Sequence, residues 1–229
     1  MKYTGIMLVA LMGLTGRAAA QEQVRQVSGF NKIGNGGSFA VHVKIDGTES
    51  LKIVGGDQEN VAKIATVVRG GELEIGWKKG SEPHRFSGRI DVYVTAKSLT
   101  GLSNAGSGSL EVDGVVKGGT VTVGLAGSGS IKAAVDADHL NIDLSGSGMT
   151  TLKGKASSTK IDIAGSGGLS GESLSTDAVD AEIAGSGNAH IVVNKTVSAS
   201  IAGSGSLYYT GAATIKSSSI AGSGRVKRA

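Results

Sequence analysis

Three acidic side chains occupy the same position relative to successive copies of a repeated Gly-Ser-Gly tripeptide. Asp143, Asp162 and Glu182 each stand four residues before the serine of a copy. If the copies stack in register, these carboxylates form a column with neighbours about 4.8 Å apart. Two carboxylates at that distance can share a proton or hold Ca²⁺. This column is therefore the sharpest candidate for metal-binding or catalytic chemistry.

A solvated face is the leading interpretation of this acidic column. Its position lies between two apolar positions, which predicts an outward direction, and Lys160 stands close enough to relieve the repulsion between carboxylates. Neither a calcium-binding nonapeptide nor an adjacent His or Arg cluster accompanies the acids. Weak cation binding is the second interpretation. Hydrolysis is the third, because pectin-degrading enzymes also use right-handed β-helices.

The histidines show no metal-binding spacing. His42, His84, His139 and His190 do not form an HExxH motif, and neither a GxSxG motif nor a Cys-His pair is present. His190 stands four residues after its turn serine. Its column contains Glu111, Lys132, Thr151, Ser170, Tyr208 and Lys227. A mixed solvent-exposed face is the leading interpretation, and a glycan contact through Tyr208 and His190 is the alternative.

The repeated tripeptide predicts the architecture that positions these side chains. Its seven serines are Ser107, Ser128, Ser147, Ser166, Ser186, Ser204 and Ser223, at steps of 18 to 21 residues. Alternating apolar residues precede the copies, as in Leu140-x-Ile142-x-Leu144, which indicates half-buried strands. The serines are interpreted as structural turn residues whose hydroxyls can bond along the column. A phosphate-binding loop would need the GxxxxGK[ST] pattern.

This pattern predicts an all-β fold, a right-handed parallel β-helix (β-solenoid) with coils of about 19 residues. Residues 21–229 are expected to form a single solenoid domain. Residues 103–229 would be the Gly-Ser-Gly repeat coils, and residues 28–102 broader, irregular coils of the same solenoid. Residues 57–67 could form a helical turn capped by Asp57 or Asn60, or a strand. Residues 77–83 are expected to form an exposed loop.

Residues 1–20 have the layout of a secretory signal peptide. Lys2 supplies the positive start, residues 6–14 the apolar stretch, and Ala18-Ala19-Ala20 the cleavage signal. No later segment reaches the roughly 20 apolar residues of a membrane span. The absence of cysteine excludes disulfides and a lipid-modified Cys anchor. Without residues 1–20 the net charge falls from +4 to about +2, and aromatics make up only 3%, so nucleic-acid binding is not expected.

Several segments resemble a known family. They are Ser28-Gly29-Phe30-Asn31-Lys32-Ile33, Phe39-Ala40-Val41-His42-Val43, Ile53-Val54-Gly55-Gly56-Asp57, Gly71-Glu72-Leu73-Glu74-Ile75 and Val92-Tyr93-Val94-Thr95-Ala96-x-Ser98-Leu99, followed by the Ala-Gly-Ser-Gly repeats. Together they resemble the auto-transporter adhesin head GIN domain of bacterial exported proteins, over nearly all the chain after residue 20. The resemblance implies right-handed β-helical members, an envelope location and no established catalytic residues.

Three functional classes follow from these observations. The leading hypothesis is a non-enzymatic exported envelope protein, an adhesin or binding module that presents the solenoid wall to a polysaccharide or protein. A structural or accessory envelope protein is the alternative, and a carbohydrate-active enzyme is a remote third. No cofactor is expected. The location is predicted to be the periplasm, the cell surface or the medium.

Overall fold

The computed structural model describes residues 22–55, 58–81 and 88–229. The predicted signal peptide lies outside the described residues. The elements in chain order are β1 (Glu22–Arg25), β2 (Lys32–Asn35), β3 (Ala40–Ile45), β4 (Ser50–Gly55), α1 (Gln58–Ala62), β5 (Ile64–Arg69), β6 (Glu72–Trp77), β7 (Ile90–Ala96), β8 (Gly101–Gly106), β9 (Ser109–Gly127), β10 (Ser130–Gly146), β11 (Met149–Gly165), β12 (Gly168–Gly185), β13 (Asn188–Gly203), β14 (Ser206–Thr210), β15 (Thr214–Gly222) and β16 (Arg225–Arg228).

The strands from β9 onward form the repeat coils. Each of β10 to β13 pairs in parallel with the strand before and after it, and the first glycine of each turn lies beside its counterpart, as in Gly127, Gly146 and Gly165. The chain is a β-solenoid of about 7 turns with coil spacing near 19 residues. The predicted all-β solenoid is confirmed.

The alternating apolar residues line the interior of the coils. Leu140, Ile142 and Leu144 are at most 4% exposed, and their counterparts in neighbouring coils are equally buried. Burying one such side chain contributes about 1.5–3 kcal/mol. Each coil therefore gains most of its stability from the coil above and the coil below, as in other solenoids.

The segment before the repeats differs from the predicted irregular coils. β2 and β3 form a coil, but it lies between β6 and β7 on one side and β8 and β9 on the other, so coil order does not follow chain order. β4 pairs antiparallel with β1 and β7, and β5 pairs antiparallel with β6. Antiparallel strands thus cover this end of the solenoid, which the alternation of apolar residues alone did not reveal.

The region of residues 58–69 contains both structures that its sequence allowed. α1 covers its first part and β5 its second, where the β-branched residues lie. Asn60 lies inside the helix and is not its cap, and Asp57 lies outside the described residues. Arg25 fastens the helix to β1, because its guanidinium donates to the Ile64 and Val61 carbonyls at 2.6 and 2.8 Å.

Each Gly-Ser-Gly turn is held by its backbone. The N–H groups of Ser166 and Gly167 both donate to the Gly146 carbonyl of the preceding coil at 2.8 Å, and the repeat turns from Ser128 onward follow the same scheme. Gly165 has φ +122°, and a Cβ there would overlap the Gly146 carbonyl oxygen. All seven turn serines are exposed, and in the described part of the chain none of their hydroxyls makes a hydrogen bond. The turns stack in register, but the hydrogen bonds that the serine hydroxyls could make along their column are not formed among the described residues.

This turn geometry predicts unequal effects for two neighbouring substitutions. Ser166→Ala should leave the free energy of unfolding nearly unchanged, because only an exposed hydroxyl is lost. Gly165→Val should lower it by about 1–3 kcal/mol or more, because a β-branched residue is strained at positive φ and would collide with the adjacent coil. Urea unfolding of both variants measures the difference. Equal losses would show that the hydroxyl matters as much as the glycine.

Candidate functional site

Two outward surfaces of the wall carry the predicted site residues. The first, here called the acidic face, contains the positions two, four and six residues before each turn serine. The second, here called the aromatic row, contains the positions four residues after it and the residues that continue this row by strand pairing in the coils before the repeats. Both surfaces form because strand residues alternate between core and solvent, so a solvent position repeats in every coil.

The three acids do form a column on the acidic face. Asp143 lies beside Asp162, and Asp162 lies beside Glu182, in the parallel register of adjacent coils. Asp143 and Glu182 are exposed and Asp162 is half-buried. The predicted register and outward direction are therefore both observed.

Lys160 partly neutralises the acidic column. Its ammonium lies 2.9 Å from Asp162 Oδ2. This hydrogen-bonded carboxylate raises the pKa of Lys160 above its ordinary value, and Glu182 and Asp143 add smaller electrostatic contributions. Within residues 22–55, 58–81 and 88–229, no three His, Cys, Asp or Glu side chains converge as metal ligands. The column is a stack of outward-facing charges in consecutive coils.

The acidic column borders a shallow groove of about 720 Å³. Small residues form the neighbouring column two positions before the turn: Ala105, Ala126, Ser145, Ala164, Ala184 and Ala202. Among the described residues, no histidine lines this groove. The carboxylates therefore lack an adjacent imidazole to act as a proton-transfer partner.

The aromatic row runs the whole length of the wall. In spatial order it consists of Lys52, Tyr93, His42, Glu111, Lys132, Thr151, Ser170, His190, Tyr208 and Lys227, each opposite the next in the strand register. The sequence predicted the part from Glu111 to Lys227. The coils before the repeats do not stack in chain order. Tyr93 and His42 therefore also belong to the row, which the sequence did not predict.

Two stacked His–Tyr pairs lie near the ends of the row. The rings of His190 and Tyr208 are 4.8 Å apart and inclined by 16°. Those of His42 and Tyr93 are 5.0 Å apart and inclined by 20°. The Lys52 ammonium lies 5.5 Å from the Tyr93 ring centre, within the range of a cation–π interaction. Stacking fixes the orientation of four polar aromatic side chains.

A groove of about 540 Å³ lies between the two stacked pairs. Its lining includes His42, Glu111, Lys132, Thr151 and Ser170. Lys132 bonds Glu111 at 2.8 Å and lowers the pKa of that carboxyl group. The groove therefore presents charged groups and hydroxyls at fixed positions in consecutive coils.

The pairing of Tyr93 with His42 had a sequence signal. Val92-Tyr93-Val94, Val41-His42-Val43 and Leu110-Glu111-Val112 share one pattern, an outward residue between two inward apolar residues. Only the tertiary pairing shows that these three segments are neighbours. Among the other histidines, His139 is exposed and bonds the Ser158 hydroxyl at 2.8 Å, and His84 lies outside the described residues.

The fold and its outward surfaces define a class of protein, a β-solenoid with long ordered walls. Among the described residues, no helix is long and apolar enough to cross a membrane. The chain belongs to the family described as "Putative auto-transporter adhesin, head GIN domain", whose model matches residues 29–213. The family resemblance seen in the sequence is thus confirmed.

Solved bacterial structures share the fold. A "putative adhesin" from Bacteroides fragilis is 25% identical with a TM-score of 0.81, and the match covers 93% of this chain and 98% of that one. A "putative lipid binding protein" from Parabacteroides distasonis is 23% identical with a TM-score of 0.73, at the same coverage. A "putative adhesin" from Parabacteroides merdae is 18% identical with a TM-score of 0.69, again at the same coverage. No protein with a curated description matches the chain.

The geometry of the acidic face predicts little effect of removing its charges. The triple variant Asp143→Asn, Asp162→Asn, Glu182→Gln should fold normally, with a free energy of unfolding within about 0.5 kcal/mol of wild type, because surface substitutions away from buried groups change stability little. Urea unfolding checks this value. Calorimetric titration with Ca²⁺ should give at most a weak signal. A tight signal in wild type that the triple variant loses would instead make the column a metal site.

Proposed function

We propose that this protein is an exported, non-enzymatic binding protein that holds a polysaccharide chain along the aromatic row. The observation that carries the proposal is the groove between two stacked His–Tyr pairs. Family membership and the structural neighbours named as adhesins support a binding role. The signal-peptide pattern of residues 1–20 supports export.

The distance between the two pairs suits an extended polymer. His42 and His190 are separated by five steps of the row, which corresponds to about 24 Å at the usual strand spacing. The intervening side chains offer donors and acceptors in every coil. A polymer with a short chemical repeat can therefore contact several coils at once. Many weak contacts along one chain raise its overall affinity.

The chemistry of the row favours a sugar over a protein surface. Protein interfaces concentrate apolar and aromatic residues in a dry centre with few charges. Here Glu111, Lys132, Thr151 and Ser170 occupy the centre, and the aromatic rings lie towards the ends. Tyr and His combine an apolar body with a polar edge. A pyranose ring has the complementary combination of C–H groups and hydroxyls.

Binding should depend on the stacked pairs. A glycan array identifies the sugar, and titration calorimetry then measures its affinity. Tyr208→Ala and Tyr93→Ala should each weaken binding by about tenfold, because aromatic anchors dominate binding energies. His139→Ala is the matched control, because His139 is an exposed histidine in another column. Its affinity should equal that of wild type.

Three outcomes would contradict this proposal. Unchanged affinity in both tyrosine variants would place the sugar elsewhere on the molecule. An absence of binding to every sugar tested would favour an accessory structural role in the envelope. Release of shortened sugar products during incubation with purified protein would show an enzyme instead of a binding protein.

A further inference from the structure

The last coil of the solenoid has an unpaired edge. β15 pairs only with β13, and β16 pairs only with β14, within the described part of the chain. All nine residues of β15 are exposed. At the opposite end, antiparallel strands and α1 cover the coils. β1 and β5 are also paired on one side only, but they run antiparallel to their partners, so the parallel coils end beneath an antiparallel cap there and in an uncapped parallel coil at β15 and β16.

The apolar core is open at this unpaired edge. Ile215 and Ile220 continue the inward columns of Val197 and Ile201. The latter two are at most 1% exposed, whereas Ile215 is 48% and Ile220 43% exposed. These two isoleucines are the final layer of a core that nothing covers in the described structure. A further strand stacked on β15 would remove them from water.

The charged side chains of the same edge are all positive. Lys216, Arg225, Lys227 and Arg228 are exposed, and residues 211–229 contain no Asp or Glu. None of the four cations takes part in an ion pair with the described residues. On the wall, in contrast, Lys117 and Lys155 both approach Asp136, at 3.4 and 3.8 Å. The end of the solenoid lacks the alternation of charge that the wall has.

The charges and the unpaired backbone groups of this edge together indicate which kind of partner would bind there. A second copy would bring four more cations to the same place, and positive side chains and bulges are known protections against pairing of identical edges. β15 has such a register shift, next to Lys216. An anionic bilayer would attract the cations but could not pair the free strand groups in its hydrocarbon region. An acidic strand satisfies the backbone, the isoleucines and the cations at once.

We propose that this open end binds an acidic extended segment of a partner protein, which adds to β15 and β16 as the next rung of the solenoid. One coil of the chain shows that an acidic rung is compatible with the fold. Residues 168–191 carry Glu172, Asp177, Asp180 and Glu182 with no Lys or Arg. This coil nevertheless pairs in parallel with the coils on both sides, with Asp180 and Glu182 inside the paired stretches and register shifts near Glu172 and Asp177.

A synthetic peptide with the sequence of residues 172–191 is the probe for this edge. Labelled peptide is titrated with the full chain by fluorescence anisotropy, beside a scrambled peptide of equal composition. Hydrogen exchange then reports on the β15 amides. The expected result is saturable binding of the native peptide only, with slower exchange across β15. Pairing of the strand, rather than loose charge attraction, produces that protection.

Two variants test whether the peptide binds to the positive charges of this edge or to positive charges elsewhere on the molecule. Lys216→Gln, Arg225→Gln, Lys227→Gln, Arg228→Gln should weaken peptide binding by about tenfold or more, since close charge pairs contribute strongly to association. The matched control replaces four exposed lysines elsewhere, Lys44, Lys78, Lys79 and Lys153, by Gln and should bind as wild type does. Circular dichroism confirms that both variants fold.

The opposite results would overturn the proposal. Equal binding of the scrambled peptide, or unprotected β15 amides, would reduce the interaction to unspecific attraction. Sedimentation of the chain with phosphatidylglycerol vesicles, without any peptide binding, would assign the edge to an anionic membrane surface. A dimer with protected β15 amides in the absence of peptide would assign it to self-association.

Discussion

The backbone contact at the corner of each coil is the constraint on which the rest of this structure depends. One glycine carbonyl accepts two N–H groups from the next coil, from the serine and from the second glycine. This arrangement leaves no room for a Cβ at the first glycine, as at Gly165. Since the same contact recurs in the repeat turns from Ser128 onward, it fixes the register of the adjoining strands. This register also aligns every column of side chains, both in the core and on the outer surface of the coils.

The fixed register converts a repeated sequence into continuous surfaces. Inward positions give a core of stacked Leu, Ile, Val and Ala side chains, while outward positions are free to vary without loss of stability. The acidic face and the aromatic row are two surfaces formed by such outward positions. On the first, Lys160 balances part of the negative charge. On the second, stacked rings at both ends enclose polar groups suited to a hydroxyl-rich ligand.

The two ends of the solenoid follow a different rule from the walls. A solenoid coil is stabilised by neighbours on both sides, so a terminal coil needs a cap or a partner. At one end β1, β4, β5 and α1 supply the cap, with Arg25 bound to the carbonyls of Val61 and Ile64. At the other end Ile215 and Ile220 remain exposed among four cations. The two proposals therefore concern different parts of the molecule, the wall for a polymer and the open end for a strand.

The sequence by itself determined the solenoid, the turn positions, the buried columns and the alignment of Asp143 with Asp162 and Glu182. These features follow from two patterns that can be read along the chain, the period near 19 residues and the alternation of apolar residues. Only the tertiary structure decided how the first coils are ordered, since β2 and β3 insert between strands that follow them in the chain. That insertion brings Tyr93 beside His42. The open, positively charged end was also visible only in the structure. Whether Ile215 is exposed depends on whether another strand stacks on β15, and the local sequence pattern does not contain that information.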